Sequence, residues 1–176
     1  MKKTIADIMT ELTIEETPVG KGILQPLFTH QFRVTPTGEM DDPIFKMQVI
    51  SCNRPTLSFD EVIHDGQTYN GKGHWEPLKI VLEEDAQGKL ARVIQKQLMC
   101  QIDTFSLENP LASEEYKFDV AIELIDPQDG KVVETFDVKG CWIRSTKYAE
   151  LDYSKSAAST IELEILFDSA GMRAYK

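Results

Sequence analysis

Residues 116–124 read Tyr-Lys-Phe-Asp-Val-Ala-Ile-Glu-Leu, and this stretch decides the fold class. Apolar side chains alternate with mostly polar ones, which is typical of a β-strand with one buried and one solvated face. The same alternation recurs in residues 161–167, Ile-Glu-Leu-Glu-Ile-Leu-Phe. Between them, Asp-Pro-Gln-Asp-Gly at residues 126–130 predicts a turn that leads into a partner strand at residues 132–143. We therefore expect antiparallel sheet structure in the C-terminal part of the chain.

Weaker strand signals precede this hairpin. Apolar residues predict further strands at residues 28–35, 44–52, 57–63 and 78–83. Asp65-Gly66 offers a tight hairpin turn. The glycines that follow this turn predict a long exposed loop over residues 67–74.

One substantial helix interrupts the strands. Residues 86–100 carry an apolar stripe with a single polar member, Gln97, and Asp85 is the expected N-cap. These elements together predict a mainly β fold, an antiparallel β-sandwich or barrel with one flanking α-helix.

The first residues of the chain differ from the rest. A short helix is predicted at residues 4–12, and Pro18, Gly20 and Gly22 predict an extended arm after it. We therefore expect an N-terminal helix and arm over residues 1–27, and a β-domain over residues 28–176.

The charge balance limits the classes of partner. The chain has 176 residues with 29 acidic and 19 basic side chains, a formal net charge of −10. This excess argues against a clamp on nucleic acid and against binding to an anionic membrane surface. Some of the acids occupy alternate positions of the late strands: Asp119, Glu123, Glu162 and Glu164. Such a face is either ordinary solvated sheet or a surface that repels a polyanion.

Residue types that often carry chemistry are sparse. His64 and His74 flank the predicted loop and could form a metal pair, but zinc sites usually have closer spacing or added cysteines. The three cysteines, Cys52, Cys100 and Cys141, are far apart, so we expect a reducing compartment rather than a disulfide framework. No catalytic, cofactor or metal motif is predicted. Neither a secretory signal nor a membrane-spanning stretch is predicted either.

Several short motifs carry a resemblance to a known family. They are, in chain order, Phe45-Lys46-Met47-Gln48-Val49-Ile50-Ser51-Cys52, the hairpin from Asp60 to Trp75, Lys139-Gly140-Cys141-Trp142, Ala149-Glu150-Leu151-Asp152-Tyr153, and Thr160 to Asp168. In these motifs and their order, the chain resembles the tail tube proteins of contractile-tailed bacteriophages, which are related in fold to the tube protein of type VI secretion systems. It departs from the family at Arg144-Ser145-Thr146, where a proline is common, and residues 1–25 have no clear counterpart.

The resemblance implies a structural role without catalysis. Six copies would close into a ring in which neighbouring sheets form one continuous barrel, and rings would stack into a hollow tube. The tube would conduct viral DNA without binding it specifically. The implied partners are the chain itself, the tail sheath protein, the tape-measure protein, and the baseplate and terminator proteins. The implied location is the phage tail of the virion, after synthesis in the host cytoplasm.

The resemblance also assigns roles to particular residues. A hairpin at about residues 59–75 would reach into the adjacent ring, with these residues at the contact: His64, Asp65, Gly66, Tyr69, Asn70 and Trp75. The acids on the late strands become candidates for the wall of the channel: Asp119, Glu123, Glu162 and Glu164.

Two other functions remain open at this level. The chain could be a small intracellular β-barrel that holds an apolar ligand, which requires a mouth lined by apolar side chains. It could also be a hydrolase that uses carboxylates such as Glu83 and Asp85. A co-purified ligand would support the first alternative, and an activity lost on substitution of both acids would support the second.

Overall fold

The computed structural model describes residues 31–108, 112–154 and 156–175. The predicted helix at residues 4–12, the arm after it and the start of the strand predicted at 28–35 lie outside the described residues. The elements, in chain order, are β1 (Phe32–Pro36), a 3-10 turn (Gly38–Met40), α1 (Pro43–Gln48), β2 (Val49–Cys52), β3 (Leu57–His64), β4 (Gln67–Trp75), β5 (Leu78–Glu83), α2 (Lys89–Gln101), α3 (Ser113–Tyr116), β6 (Phe118–Ile125), β7 (Val132–Tyr148), β8 (Thr160–Leu166) and β9 (Ser169–Ala174). The fold is mainly antiparallel β, as predicted.

Two four-stranded sheets share the long strand β7. The first sheet has the order β1-β6-β7-β9, and the second has the order β7-β8-β5-β2. β7 pairs with β6 and β9 through its N-terminal part, up to Cys141, and with β8 from Trp142 onward. β8 and β9 follow each other along the same edge of β7, separated only by Phe167 and Asp168. Two continuous stretches of chain, β7 and the segment β8–β9, therefore run through both sheets.

One hydrophobic core lies against both sheets. The alternation predicted for β6 and β8 is confirmed, since each strand buries every second side chain. The buried cluster comprises, among others, Val120 and Ile122 of β6, Leu163 and Ile165 of β8, Ile80 and Leu82 of β5, and Leu90, Val93 and Ile94 of α2. Each fully buried aliphatic side chain stabilises the fold by about 1.5–3 kcal/mol relative to exposure. The barrel alternative is not found, because within the described residues the strands do not close on themselves.

The strand predicted at residues 44–52 is wrong over its first half. Residues Pro43–Gln48 form α1, because the Asp42 side chain accepts a hydrogen bond from the Ile44 N–H and Pro43 suits the first helical position. Met47 is 74% exposed, so the apparent alternation does not mark a buried sheet face. Only Val49–Cys52 is a strand, which pairs with β5.

The loop predicted at residues 67–74 is also wrong, because these residues form β4. The turn at Asp65 and Gly66, which have φ values of 50° and 73°, closes the predicted hairpin and places β4 against β3. Gly71 and Gly73 suit close packing rather than a loop. A Cβ at Gly71 would lie 2.8 Å from the Asp60 carbonyl oxygen, and one at Gly73 would lie 3.1 Å from the Phe59 ring.

Two predicted boundaries also shift. β7 continues to Tyr148, five residues past the predicted end of the partner strand. Helix α2 starts at Lys89 rather than at residue 86, because Gly88 before it adopts a left-handed conformation. Asp85 still caps the helix from outside, since its carboxylate accepts hydrogen bonds from the N–H groups of Lys89 and Leu90.

Candidate assembly interface

The β3–β4 hairpin stands apart from the two sheets. It forms its own two-stranded sheet, and neither strand contains a buried residue. Phe59 and Ile63 are 54% and 70% exposed, and Leu57, Val62 and Tyr69 are also exposed. Because side chains alternate along a strand, Phe59 and Ile63 lie on one face of the hairpin and Val62 on the other. A ribbon with exposed apolar groups on both faces is suited to insertion between other surfaces.

The candidate contact residues of this hairpin fall into two groups. His64 pairs with Gln67 beside the turn at Asp65-Gly66, while Tyr69 lies opposite Val62 and Asn70 lies opposite Glu61. Trp75 instead lies at the base, where its ring packs against Phe167 with a centroid distance of 5.5 Å. The structure therefore brings His64, Asp65, Gly66, Tyr69 and Asn70 together in the outer half of the hairpin and separates Trp75 from them.

The two histidines of the hairpin lie at opposite ends of it. His64 Nε2 is 3.4 Å from the Asp65 carboxylate, and His74 Nδ1 is 3.7 Å from the Asp60 carboxylate. His64 lies beside the turn, whereas His74 pairs with Ser58 near the base. Among the described residues, no group of three or more potential metal ligands comes together.

A second feature is the open edge of β7. Pairing with β6 ends at Cys141, so within the described chain the segment from Trp142 to Tyr148 has a strand partner only on its β8 side. The Gln101 side-chain amide occupies the start of this edge. Its Oε1 accepts a hydrogen bond from the Ile143 N–H, and its Nε2 donates one to the Ile143 carbonyl oxygen, both at 2.9 Å.

Among the residues that the structure describes, the edge continues beyond Ile143 without such a cover. The Ala149 N–H donates to Thr160 of β8, and backbone groups alternate in direction, so those of Thr146 and Tyr148 point to the open side. The Thr146 hydroxyl is buried and has no hydrogen-bond partner in the described part of the chain. A groove of about 460 Å³ lies beside this edge and is lined by α2 and β7, including Leu98, Ile102, Trp142 and Thr146. Sequence reasoning missed this site, although Gln97 and Gln101 on an otherwise apolar helix face offered a signal.

The candidate acids of the first sheet lie on its outward face. Asp119 accepts hydrogen bonds from Lys139 Nζ at 2.7 Å and from the Gly140 N–H at 3.1 Å. Partial burial alone would raise the Asp119 pKa, but these bonds outweigh it and lower the pKa below its usual value. Glu123 lies 3.5 Å from Arg33 of β1.

The candidate acids of the second sheet lie on the outward face of β8. Glu162 pairs in register with Lys147 of β7, and Glu164 pairs in register with Lys79 of β5. Glu164 is also 3.8 Å from Arg144. Cross-strand pairs of opposite charge stabilise a sheet modestly, by about 0.2–1 kcal/mol each.

The structure therefore separates the four candidate acids into two pairs. Asp119 and Glu123 lie on one sheet, Glu162 and Glu164 lie on the other, and both faces point away from the shared core. A channel wall made from one sheet would present only one of these pairs. Every one of the four acids has a cation next to it, so neither face is a simple wall of carboxylates.

Asp85, another candidate acid, has a structural role. Both carboxylate oxygens of Asp85 accept backbone hydrogen bonds at the start of α2, which lowers its pKa and leaves it a capping role. Cys52, Cys100 and Cys141 are free thiols, and burial raises the pKa of Cys52 and of Cys141 to about 12. Within the described residues, no helix is both long and apolar enough to cross a bilayer.

Comparisons with known proteins place this fold. No protein-family model matches the chain, and no curated protein sequence matches it. Among solved structures, a chain of the PVC sheath–tube complex of an extracellular contractile injection system has a TM-score of 0.63 at 16% identity, over 87% of this chain and 95% of that one. A chain of the anti-feeding prophage tube-terminating cap also has a TM-score of 0.63, at 17% identity, over 92% and 100%.

A third structure extends the comparison to secretion proteins. Hcp1 from Flavobacterium johnsoniae has a TM-score of 0.53 at 10% identity, over 82% of this chain and 96% of its own. The chain therefore has the fold shared by contractile-tail tube proteins and Hcp, and the resemblance found in the sequence is confirmed at the level of the fold.

Proposed function

We propose that this chain is a structural tube subunit of a contractile tail. Copies join side by side into homohexameric rings, and the rings stack into a hollow tube inside a contractile sheath. The observation that supports this most strongly is the fold match, which spans nearly the whole length of chains from a sheath–tube complex and from a tube-terminating cap. The exposed hairpin β3–β4 supports it independently, because a monomer gains nothing from unpaired apolar groups on both faces of a ribbon.

The proposal extends to the cargo and the partners. The tube conducts viral DNA from a phage virion into the host without specific binding, and it contains the tape-measure protein before release. Sheath, baseplate and terminator proteins are its further contacts. The chain has 29 acidic and 19 basic side chains. This acidic excess suits a conduit for a polyanion better than a protein that binds a polyanion. The outer half of the hairpin, with His64, Asp65, Gly66, Tyr69 and Asn70, contacts the adjacent ring.

Ring closure uses the second sheet in this proposal. Its two edges are β2 and the C-terminal part of β7, and joining β7 of one copy to β2 of the next would continue the sheet around the ring. The open backbone groups of Thr146 and Tyr148 support β7 as one side of this junction. Glu162 and Glu164 would then line the channel.

Electron microscopy of the purified protein tests the tube. We expect hollow rods in negative stain, either spontaneously or after addition of baseplate components. A protein that stays monomeric at high concentration, with sheath and baseplate proteins present, would contradict the proposal.

A proline at the open edge tests the ring junction separately. The Thr146→Pro variant removes one N–H from the free edge and leaves the pairing of β7 with β8 intact, so the subunit should fold but fail to close rings. Sedimentation velocity distinguishes monomers from rings, and circular dichroism confirms folding. Rings of normal size in this variant would show that β7 is not the junction.

A further inference from the structure

Helix α2 carries a stripe of exposed cations. Lys89, Arg92 and Lys96 are exposed at a spacing of three and four residues, and Met99, 57% exposed, continues the same stripe. The opposite face is buried against the core through Leu90, Val93, Ile94 and Gln97. The helix contains no acidic residue, so it has a charge of +3 in a chain with a net charge of −10. We call Lys89, Arg92, Lys96 and Met99 the α2 stripe.

The position of Lys89 is unfavourable for the helix dipole. The N-terminal end of a helix carries partial positive charge and favours acidic residues, yet the first turn of α2 has none and begins with Lys89. Lys89, Arg92 and Lys96 form no ion pair within the described part of the chain. Arg92 donates to the carbonyl oxygens of Gln87 and Gly88, which leaves its charge uncompensated. Since no described acid pairs with the three cations, a contact with another molecule is the better explanation of the stripe.

The same chain carries a surface complementary to the stripe. The hairpin β3–β4 contains three acids, Asp60, Glu61 and Asp65, against a single lysine, Lys72. It also exposes apolar side chains that could cover Met99, such as Ile63 at 70% exposure. No hydrogen bond or ion pair joins the hairpin to the α2 stripe within the described residues of one chain. The complementary charges are therefore available for a contact between copies.

We propose that the α2 stripe of one copy is the docking site for the β3–β4 hairpin of a second copy in the adjacent ring. The contact pairs the hairpin acids with Lys89 and Lys96 and places an apolar hairpin side chain against Met99. This inference rests on the proposed function, because it presupposes stacked rings. It adds the receiving surface, which the resemblance did not supply.

A single charge reversal and a matched control test the stripe. Lys96→Glu lies in the stripe, and Lys131→Glu makes the same change of charge at the β6–β7 turn, where Lys131 pairs with Asp129. We expect both variants to form rings, as measured by sedimentation velocity. The concentration needed for tube growth in Lys96→Glu should rise at least about tenfold, because identical contacts repeat around each ring. The control should form tubes like the wild type.

A charge swap distinguishes docking from a general loss of assembly. Lys89→Glu/Lys96→Glu should abolish stacking without unfolding the subunit, because both side chains are exposed and an acid at position 89 suits the start of α2. Asp60→Lys/Glu61→Lys in the hairpin should also abolish stacking, and a protein with all four substitutions should recover tubes in electron microscopy.

Tubes of normal length from Lys89→Glu/Lys96→Glu would overturn the inference, and so would failure of the swap to restore stacking. Rings that stack normally but fail to bind sheath would overturn it too, by assigning the stripe to the sheath. A wild-type protein that forms no rings would contradict the proposed function as well.

Discussion

Gly140 is the residue on which the junction of the two sheets depends. It has a φ of +67° and lies where β7 leaves β6 for β8, opposite the break between β8 and β9. A Cβ at this position would lie 2.1 Å from the Asp168 carboxylate, which also bonds Lys117 Nζ. The position therefore combines a left-handed backbone with a site that has no room for a side chain.

Alanine substitutions at Gly130 and Gly140 separate the cost of the left-handed backbone from the cost of the clash with Asp168. Gly130 has a similar φ of +70° and open space around it, so Gly130→Ala reports backbone strain alone, about 1–2 kcal/mol. Gly140→Ala adds the clash with Asp168, and we expect it to cost about 3 kcal/mol or more. Urea unfolding followed by fluorescence gives both free energies. Equal losses in the two variants would show that Asp168 moves aside at no cost.

The sequence marks Gly140 as part of a family motif, but it does not explain why glycine is needed there. The Lys139-Gly140-Cys141-Trp142 motif was recognised as part of a family pattern. The need for glycine arises from the approach of Asp168, which is 28 positions further along the chain and cannot be read from local spacing. The cations beside the candidate acids were missed for the same reason, because Asp119 meets Lys139 only through the pairing of β6 with β7.

At the scale of elements, the start of helix α2 is sensitive to acid. Hydrogen bonds from Leu90 and Lys89 lower the pKa of Asp85 in the folded state. A group with a depressed folded pKa stabilises the fold above its unfolded pKa of about 3.9, and this stabilisation is lost as the pH falls through the folded value. We expect the urea midpoint of the wild type to fall more steeply below about pH 4 than that of Asp85→Asn. Parallel pH profiles of the two proteins would contradict this.

The hairpin β3–β4 should be separable from the fold. It contributes no buried residue to the core, so replacing residues 60–72 by a two-residue Asn-Gly turn, which retains the pairing of Phe59 with Gly73, should leave a folded subunit. A deletion of residues 65–73 would instead leave β3 without its partner. Circular dichroism should show a native fold, and microscopy should show rings without tubes. Long tubes from this variant would exclude the hairpin from stacking.

Strongly periodic elements were the ones that the sequence predicted well. β6, β8 and α2 bury one regular face against the core, so their periodicity was visible. α1 and β4 were assigned wrongly because neither buries such a face. Residues 43–48 are helical through the Asp42 cap and one buried side chain, Phe45, and β4 is held by its turn and by pairing with β3. Local capping and cross-strand pairing outweighed the pattern at both sites.

At the scale of the whole molecule, substitutions on the two outward sheet faces distinguish which sheet lines the proposed channel. If the proposed tube conducts DNA and the second sheet lines its lumen, Glu162→Lys/Glu164→Lys should slow genome ejection and leave tube length unchanged, because DNA would then adhere to the wall. Glu123→Lys, on the first sheet, is the control and should eject normally. Ejection can be followed by DNA release from purified particles. The reverse result would assign the channel to the first sheet.

The fold class and the exposed hairpin could be predicted from the sequence, and the open edge of β7 could not. An open edge is defined by where pairing stops, as at Cys141, and this depends on the relative lengths of β6 and β7. The separation of the four acids into two pairs likewise follows from which strands are neighbours. Sequence periodicity indicates which side of a strand is exposed to solvent, but it does not indicate which sheet that strand joins.

The two stretches of chain that run through both sheets have a consequence for synthesis on the ribosome. β8 lies between β5 and β7, so a central strand of the second sheet comes from residues 160–166, which follow every other strand of that sheet in the sequence. Contacts between such distant parts of a chain form slowly, and neither sheet is complete before the C-terminal strands emerge. We expect the nascent chain to remain unfinished, with its hairpin already exposed, until β8 and β9 have left the ribosome. In the proposed assembly, ring formation would then begin only from subunits that contain β8 and β9, which protects the growing tube from incorporating chains truncated before these strands.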